Sequence, residues 1–380
     1  MKIGIVGIRG IPANFGGSET AVEEIGRRLV EYGHEVTVYC RRHNSTTCDP
    51  LYKGMRRVVL PSVNTLNLDM PSHTFLSVLH MALAGRYDVL HFHGVGNSLF
   101  FPLLRLFSRV PVLVVVDGPD WQRPKWGWAA RQALRTSFPM AVRYAGAIIS
   151  DNRPVQRLFK SDYGRDTDYV VYGADDSQPQ DCGEIARHNL QPGGYLLQVA
   201  ALVPDKGVHL SIEAYEQLET DLPLVIVGDT LYAHAYKARL MATQDPRIRF
   251  LGYIYGEPCR ELVKNAYAYI HPLLVDGTSP ALLQAMALGQ GIISCDLPET
   301  LDVVRDVAYT FKSGDAADLR RRLRDALDHP EQVRRYGELA QQRIRQRYNW
   351  DVVARQYEAL SYRLLGQPYD AALLADDGQG

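Results

Sequence analysis

The chain has 380 residues, 46% apolar and 22% charged, with 42 Lys+Arg against 43 Asp+Glu and a net charge of −1. A single core stops growing near about 250–300 residues, so this length predicts two domains. The composition excludes a disordered, collagenous or coiled-coil chain, and the balanced charge gives no global attraction for nucleic acid.

Five cysteines, Cys40, Cys48, Cys182, Cys259 and Cys295, form no C-x-x-C pair and no disulfide framework. The opening MKIGIVGIRG runs into a strand pattern with no leader before it, and no apolar run reaches the roughly 20 residues of a spanning helix. A reduced, cytoplasmic chain, soluble or peripheral to a membrane, is expected. In chain order, strands are predicted at 2–6, 35–40, 89–92, 112–116, 147–150 and 169–172. A second set follows at 195–199, 222–227, 248–251, 268–271, 291–294 and 307–311. Many are apolar without alternation, as strands covered on both faces require. Helical spacing links Val22, Ile25 and Leu29, and again Leu282, Leu283 and Met286. Alternating strands and helices predict an α/β fold with parallel sheets. The polar, Gly- and Pro-rich stretch 176–194 reads as a linker between domains at 1–175 and 195–346. Arginine-rich helices follow, read as solvated faces, then a helix at 347–366 and a tail at 367–380.

Four stretches carry candidate chemistry. RGIPANFGGSE (9–19) lies between the first strand and its helix. Gly16 and Gly17 allow close backbone approach, and Ser18 suits an N-cap, so the helix start offers N–H groups to a phosphate or sugar oxygen. It is not the G-x-G-x-x-G dinucleotide fingerprint. VPDKG (203–207) places Lys206 on a βα loop, where it can neutralise a diphosphate. DGTSPALLQAM (276–286) reads as an anion cradle, with Ser279 at the cap, Pro280 first in the helix, and Asp276 and Gln284 able to accept from sugar hydroxyls. Asp117 follows the strand VLVVV directly, where a carboxylate can bond a sugar or stabilise a cationic anomeric carbon. Nearby Trp121, Trp126 and Trp128 offer stacking faces. His91 and His93 close the strand at 89–92. Asp166-Thr-Asp168 has the D-x-D form of a metal motif by chance, and no zinc spacing or phosphate loop of the G-x-x-x-x-G-K-[ST] type occurs.

In this order, RGIPANFGGSET, DGPDWQRPKW and GTSPALLQAMA resemble the retaining nucleotide-sugar glycosyltransferases of family 4, in particular a subgroup with rhamnosyltransferase-like members. The resemblance covers nearly the whole chain. It implies the GT-B fold: two Rossmann-like domains facing across a cleft, with a C-terminal helix crossing back. By position, Gly16, Gly17, Lys206, Gly277, Thr278, Ser279, Leu282, Leu283 and Gln284 would bind the donor. Asp117 and Asp276 would be catalytic, and His93, Trp121 and Arg123 would meet sugar or acceptor. No metal or other cofactor is implied. The partners implied are a nucleotide-sugar donor and a glycan or lipid-linked glycan acceptor, the latter bringing the protein to the inner face of the membrane, with no nucleic acid. The sequence departs from the family pattern at Ala201, where an arginine is usual, and at Asp276 and Gln284, where a glutamate pair is usual. These departures raise an alternative, a weak or inactive homologue that binds a sugar nucleotide or a partner protein.

Overall fold

The computed structural model describes every residue except 14, 15, 46, 48, 85, 119, 120, 122–125, 231, 232, 276–278 and 375–380, and at 84 and 373 the backbone alone. The chain divides into two compact units, Met1–Tyr172 with Trp350–Gly380, and Gly173–Asn349.

The first unit is built on β1 (Lys2–Val6), β2 (Glu35–Arg41), β3 (Leu51–Tyr52), β4 (Met55–Leu60), β5 (Val89–His93), β6 (Val112–Val116), β7 (Ala147–Ser150) and β8 (Asp168–Tyr169), in the order β3-β4-β2-β1-β5-β6-β7-β8. All pair in parallel except β3 with β4. The second unit holds β9 (Leu196–Val199), β10 (Leu224–Val227), β11 (Ile248–Gly252), β12 (Ala268–His271), β13 (Ile292–Cys295) and β14 (Ala308–Phe311), in the order β11-β10-β9-β12-β13-β14, parallel throughout. Apart from the outer β3 and β8, both sheets follow the doubly wound order, in which the winding reverses between the first and fourth strands. Those switch points lie between β1 and β5 and between β9 and β12.

Each sheet packs its own core. Val6, Phe92, Val114, Phe138 and Phe159 belong to the first, and Leu196, Ile226, Ile270, Leu319 and Leu323 to the second. Glycine is required where loops cross each switch point. A Cβ on Gly7 would sit 2.1 Å from the His93 carbonyl oxygen, and one on Gly207 1.8 Å from that of Pro272. Both have positive φ, which other residues rarely adopt.

Three expectations need revision. The hairpin β3–β4 is unforeseen because MRRVVL carries charge: Arg57 is buried, its Nη1 donating to the carbonyls of Thr47 (3.0 Å) and Asp49 (2.6 Å). The strand predicted at 169–172 ends its pairing at Tyr169. The stretch read as a linker is fastened into the second unit. The buried Glu261 carboxylate accepts from the backbone N–H groups of Cys182 (2.6 Å) and Ile185 (3.1 Å), and Arg260 binds Asp175 at 3.2 Å. The helix Trp350–Leu364 belongs to the first unit, where Arg363 grips Asp168 through two bonds and Arg28 meets Asp351. Asp168 and Asp166, the latter paired with Lys160, are thus structural. No described helix is long and apolar enough to cross a membrane.

Candidate active site

Ligands of doubly wound sheets bind at the carboxyl ends of the strands beside the switch point. In the first unit that position is a cavity of about 260 Å³, lined by Gly7, Ile8 and Arg9 after β1, Arg41 of β2, His93 and Gly94 at the end of β5, Asp117 after β6, and Ser18 and Glu19. Two carboxylates of the helix Gly17–Glu31 lace the 9–13 loop above it: Glu19 accepts from the Arg9 N–H (3.2 Å) and Glu23 from the Ala13 N–H (2.7 Å). Glu23 also takes Lys53 at 2.6 Å and the Tyr52 hydroxyl at 3.0 Å. Arg41 is buried and paired with Asp69 at 2.6 Å.

Asp117 is half-buried, and its Oδ1 accepts the Tyr172 hydroxyl at 3.1 Å. Asn152 Nδ2 donates to the Asp117 carbonyl at 3.1 Å, holding the backbone as well. His93 stacks on Tyr357, with ring centroids 6.3 Å apart and planes 6° from parallel. Burial pushes its pKa down to about 4, so it is neutral near pH 7. His91 is pushed to about 3 by burial and by His93, and its Nε2 lies 2.9 Å from Ser361 Oγ. His91 is therefore part of the packing, whereas His93 reaches the cavity.

Gly16 is the cap residue of the helix Gly17–Glu31, which begins at Gly17. Ser18 is not the cap. It lies inside the first turn, with its hydroxyl 3.5 Å from Tyr172 Oη. Trp121, expected to meet sugar or acceptor, is half-buried, and its ring meets Phe138 edge-on at 4.5 Å, on the first core. Trp128 is 78% exposed. Arg123 lies outside the described residues, as do Asp276, Gly277 and Thr278.

In the second unit, Lys206 ends a short turn, Pro204–Lys206, after β9. The turn is pinned from below: the buried Gln198 amide donates to the Lys206 carbonyl (3.1 Å), and the Leu274 N–H to the Asp205 carbonyl (3.0 Å). His271, at the end of β12, has its pKa pushed down to about 3 by burial and by the Lys206 charge. The helix Pro280–Ala287 has Ser279 at its cap and proline in its first turn, though the Ser279 side chain makes no capping bond. The first N–H groups of a helix lack intrahelical partners and carry its positive dipole end. That favours an anion at Ala281 and Leu282. Leu283 is corrected: its N–H already bonds the Ser279 carbonyl at 3.1 Å and its side chain is fully buried, so it supplies packing rather than a ligand contact. The Leu282 side chain is buried too, leaving only its backbone for binding. Gln284 Nε2 donates to the Asp175 carbonyl at 2.7 Å, a bond within its own unit.

Sequence reasoning missed Tyr172, Arg41, Gln198 and His271. His271 closes a strand as His91 and His93 do, and the same reasoning would have found it.

Residues 15–174 match the family described as Glycosyltransferase Family 4, and residues 185–343 match Glycosyl transferases group 1. A glycogen synthase of Mycobacterium tuberculosis is 24% identical, over 93% of this chain and 92% of its own. An O-antigen chain mannosyltransferase B of Escherichia coli is 24% identical, over 43% of this chain and 44% of its own. Among solved structures, a sucrose-phosphate synthase from Thermosynechococcus elongatus superposes with a TM-score of 0.80 at 18% identity, covering 96% of this chain and 99% of that one. Anabaena HepE in complex with UDP-glucose gives 0.76 at 18% identity, covering 95% and 99%. These neighbours share the two-domain α/β architecture known as GT-B.

Proposed function

The chain belongs to the family 4 glycosyltransferases, and from that premise we propose that it moves a sugar from a nucleoside diphosphate donor to a glycan hydroxyl, with retention at the anomeric carbon and without a metal. The observation that carries this reading is the second switch point, where Lys206 and the start of the helix Pro280–Ala287 follow adjacent strands. That pairing suits a diphosphate. HepE, crystallised with UDP-glucose, supports the donor class, and the glycogen synthase and O-antigen mannosyltransferase support a growing polysaccharide or lipid-linked oligosaccharide as acceptor. Rhamnose or another hexose is the sugar we propose.

In this mechanism the bond from the anomeric carbon to the diphosphate oxygen breaks, and the charge that develops on the leaving group is met by Lys206 and the helix N–H groups. The acceptor oxygen forms its bond on the same face, and its proton passes to the departing phosphate. Asp117 orients the sugar or stabilises positive charge at the anomeric carbon. Thermal unfolding with UDP, GDP and dTDP tests the donor class. The preferred base should raise stability by about 2.7 kcal/mol at a hundred times its Kd. Stabilisation by none of the three refutes the donor reading.

Gln284 favours a second reading. Its amide is engaged by Asp175 where the family usually has a carboxylate, and Ala201 is exposed in place of an arginine. A chain that binds sugar nucleotides yet neither transfers nor hydrolyses them would establish that weaker homologue.

A further inference from the structure

We infer that Tyr172 is a positioning residue for Asp117, an inference that rests on the reading of Asp117 as acting on the donor sugar. Tyr172 is 8% exposed, three residues beyond β8, and its hydroxyl reaches two other elements. It donates to Asp117 Oδ1 at 3.1 Å and stands 3.5 Å from Ser18 Oγ in the first turn of the helix Gly17–Glu31. A phenol has one proton to give. With that proton committed to the carboxylate, Ser18 is left to donate to the phenol oxygen. One buried oxygen therefore ties the carboxyl edge of β6 to the helix start that borders the same cavity.

The surroundings keep the phenol a donor. Burial, then Asp117 and Asp151, hold its pKa well above the usual tyrosine value, so it stays protonated wherever the enzyme is folded. Among the described residues, the titratable and charged groups near Asp117 include Tyr172 itself, Asp151 after β7, Tyr357 of the helix Trp350–Leu364, His93 of β5, Glu19 of the first helix, and Arg9 and Arg41 of the cavity lining. A hydrogen bond to the ionised carboxylate favours that form and fixes the direction its oxygens face. A charge that acts on a reacting carbon must be aimed to within a fraction of an ångström.

The test is a double-substitution cycle on turnover of UDP-glucose, GDP-mannose and dTDP-rhamnose, with Tyr172→Phe, Asp117→Asn and both together. Tyr172→Phe keeps the ring and its packing. It should lower kcat about 10- to 100-fold while moving the donor KM little. It should also move the acid limb of the kcat profile to higher pH, because the carboxylate loses a donor. In the Asp117→Asn background it should cost nothing further. Losses that add across the cycle, or an acid limb that stays in place, overturn the inference and leave Tyr172 as packing. If Asp117→Asn abolishes turnover while Tyr172→Phe leaves it unchanged, only this inference falls. If Asp117→Asn turns over normally, or the unaltered chain turns over none of the three donors, the reading beneath it falls and takes the inference with it.

Discussion

Two sheets wound in the same order present different chemistry at their switch points. The edge of the first unit is made of side chains: Asp117, Glu19, Arg9, Arg41 and the neutral His93 around one cavity. Among the described residues, the second switch point is bordered by the Lys206 turn and the start of the helix Pro280–Ala287, near the buried, uncharged Gln198 and His271. Carboxylates can steer or stabilise a developing cation, whereas helix ends and lysines hold anions. The winding supplies the location, and the residues that close the strands decide which kind of charge is served.

The largest effect that separates the units is expected in acid. The first buries His73, His91 and His93, with pKa values pushed down to about 4, 3 and 4, and the second buries His271, at about 3. Each stays neutral in the fold, while the unfolded chain takes up a proton below about pH 6.5. Stability should therefore fall as pH drops from 6.5 toward the folded values, by up to about 1.4 kcal/mol per pH unit per histidine, and level off below them. Hydrogen exchange, corrected for intrinsic rates at pH 7 and pH 5, should show protection lost faster in the first unit. Equal losses would remove this difference. Next, Leu283→Ala should cost about 2–5 kcal/mol of stability in denaturant, with nucleotide affinity kept once folding is accounted for. A selective loss of affinity would return Leu283 to the binding residues.

Two substitutions then sharpen the division of labour. Asp117→Asn should lower kcat by about 10²–10³ and leave the Kd for the preferred nucleoside diphosphate near the wild-type value. Lys206→Met should do the reverse, weakening that Kd about 10- to 100-fold by calorimetry, the range of one charge-assisted contact. If Lys206→Met left the Kd intact and Asp117→Asn abolished it, the comparison would be inverted.

Both sheets were legible from sequence because doubly covered strands are apolar runs, and β1, β6, β7 and β12 fall where such runs predict. β4 was hidden by Arg56 and Arg57, one of which is buried against carbonyls that composition cannot foresee. At the site, Asp117 and His93 were legible as strand-closing residues. Tyr172 was not, because its partner lies 55 positions away and only folding joins them. Leu283 was misassigned because a single place along a helix start separates a free N–H from a bonded one. The edge-on contact of Trp121 with Phe138 was not legible because nothing periodic in the sequence announces it.

The return of the helix Trp350–Leu364 to the first unit has a consequence for biosynthesis. The ribosome makes all of 173–349 before it makes Tyr357, which stacks on His93, and Ser361, which bonds His91. The second unit is contiguous and has every strand of its sheet before that helix emerges. The first unit must wait with β5 lacking this cover. The nascent chain thus completes the second unit first and the first unit last, so a chain halted near residue 349 would carry a finished second sheet but a first sheet whose β5 lacks this cover.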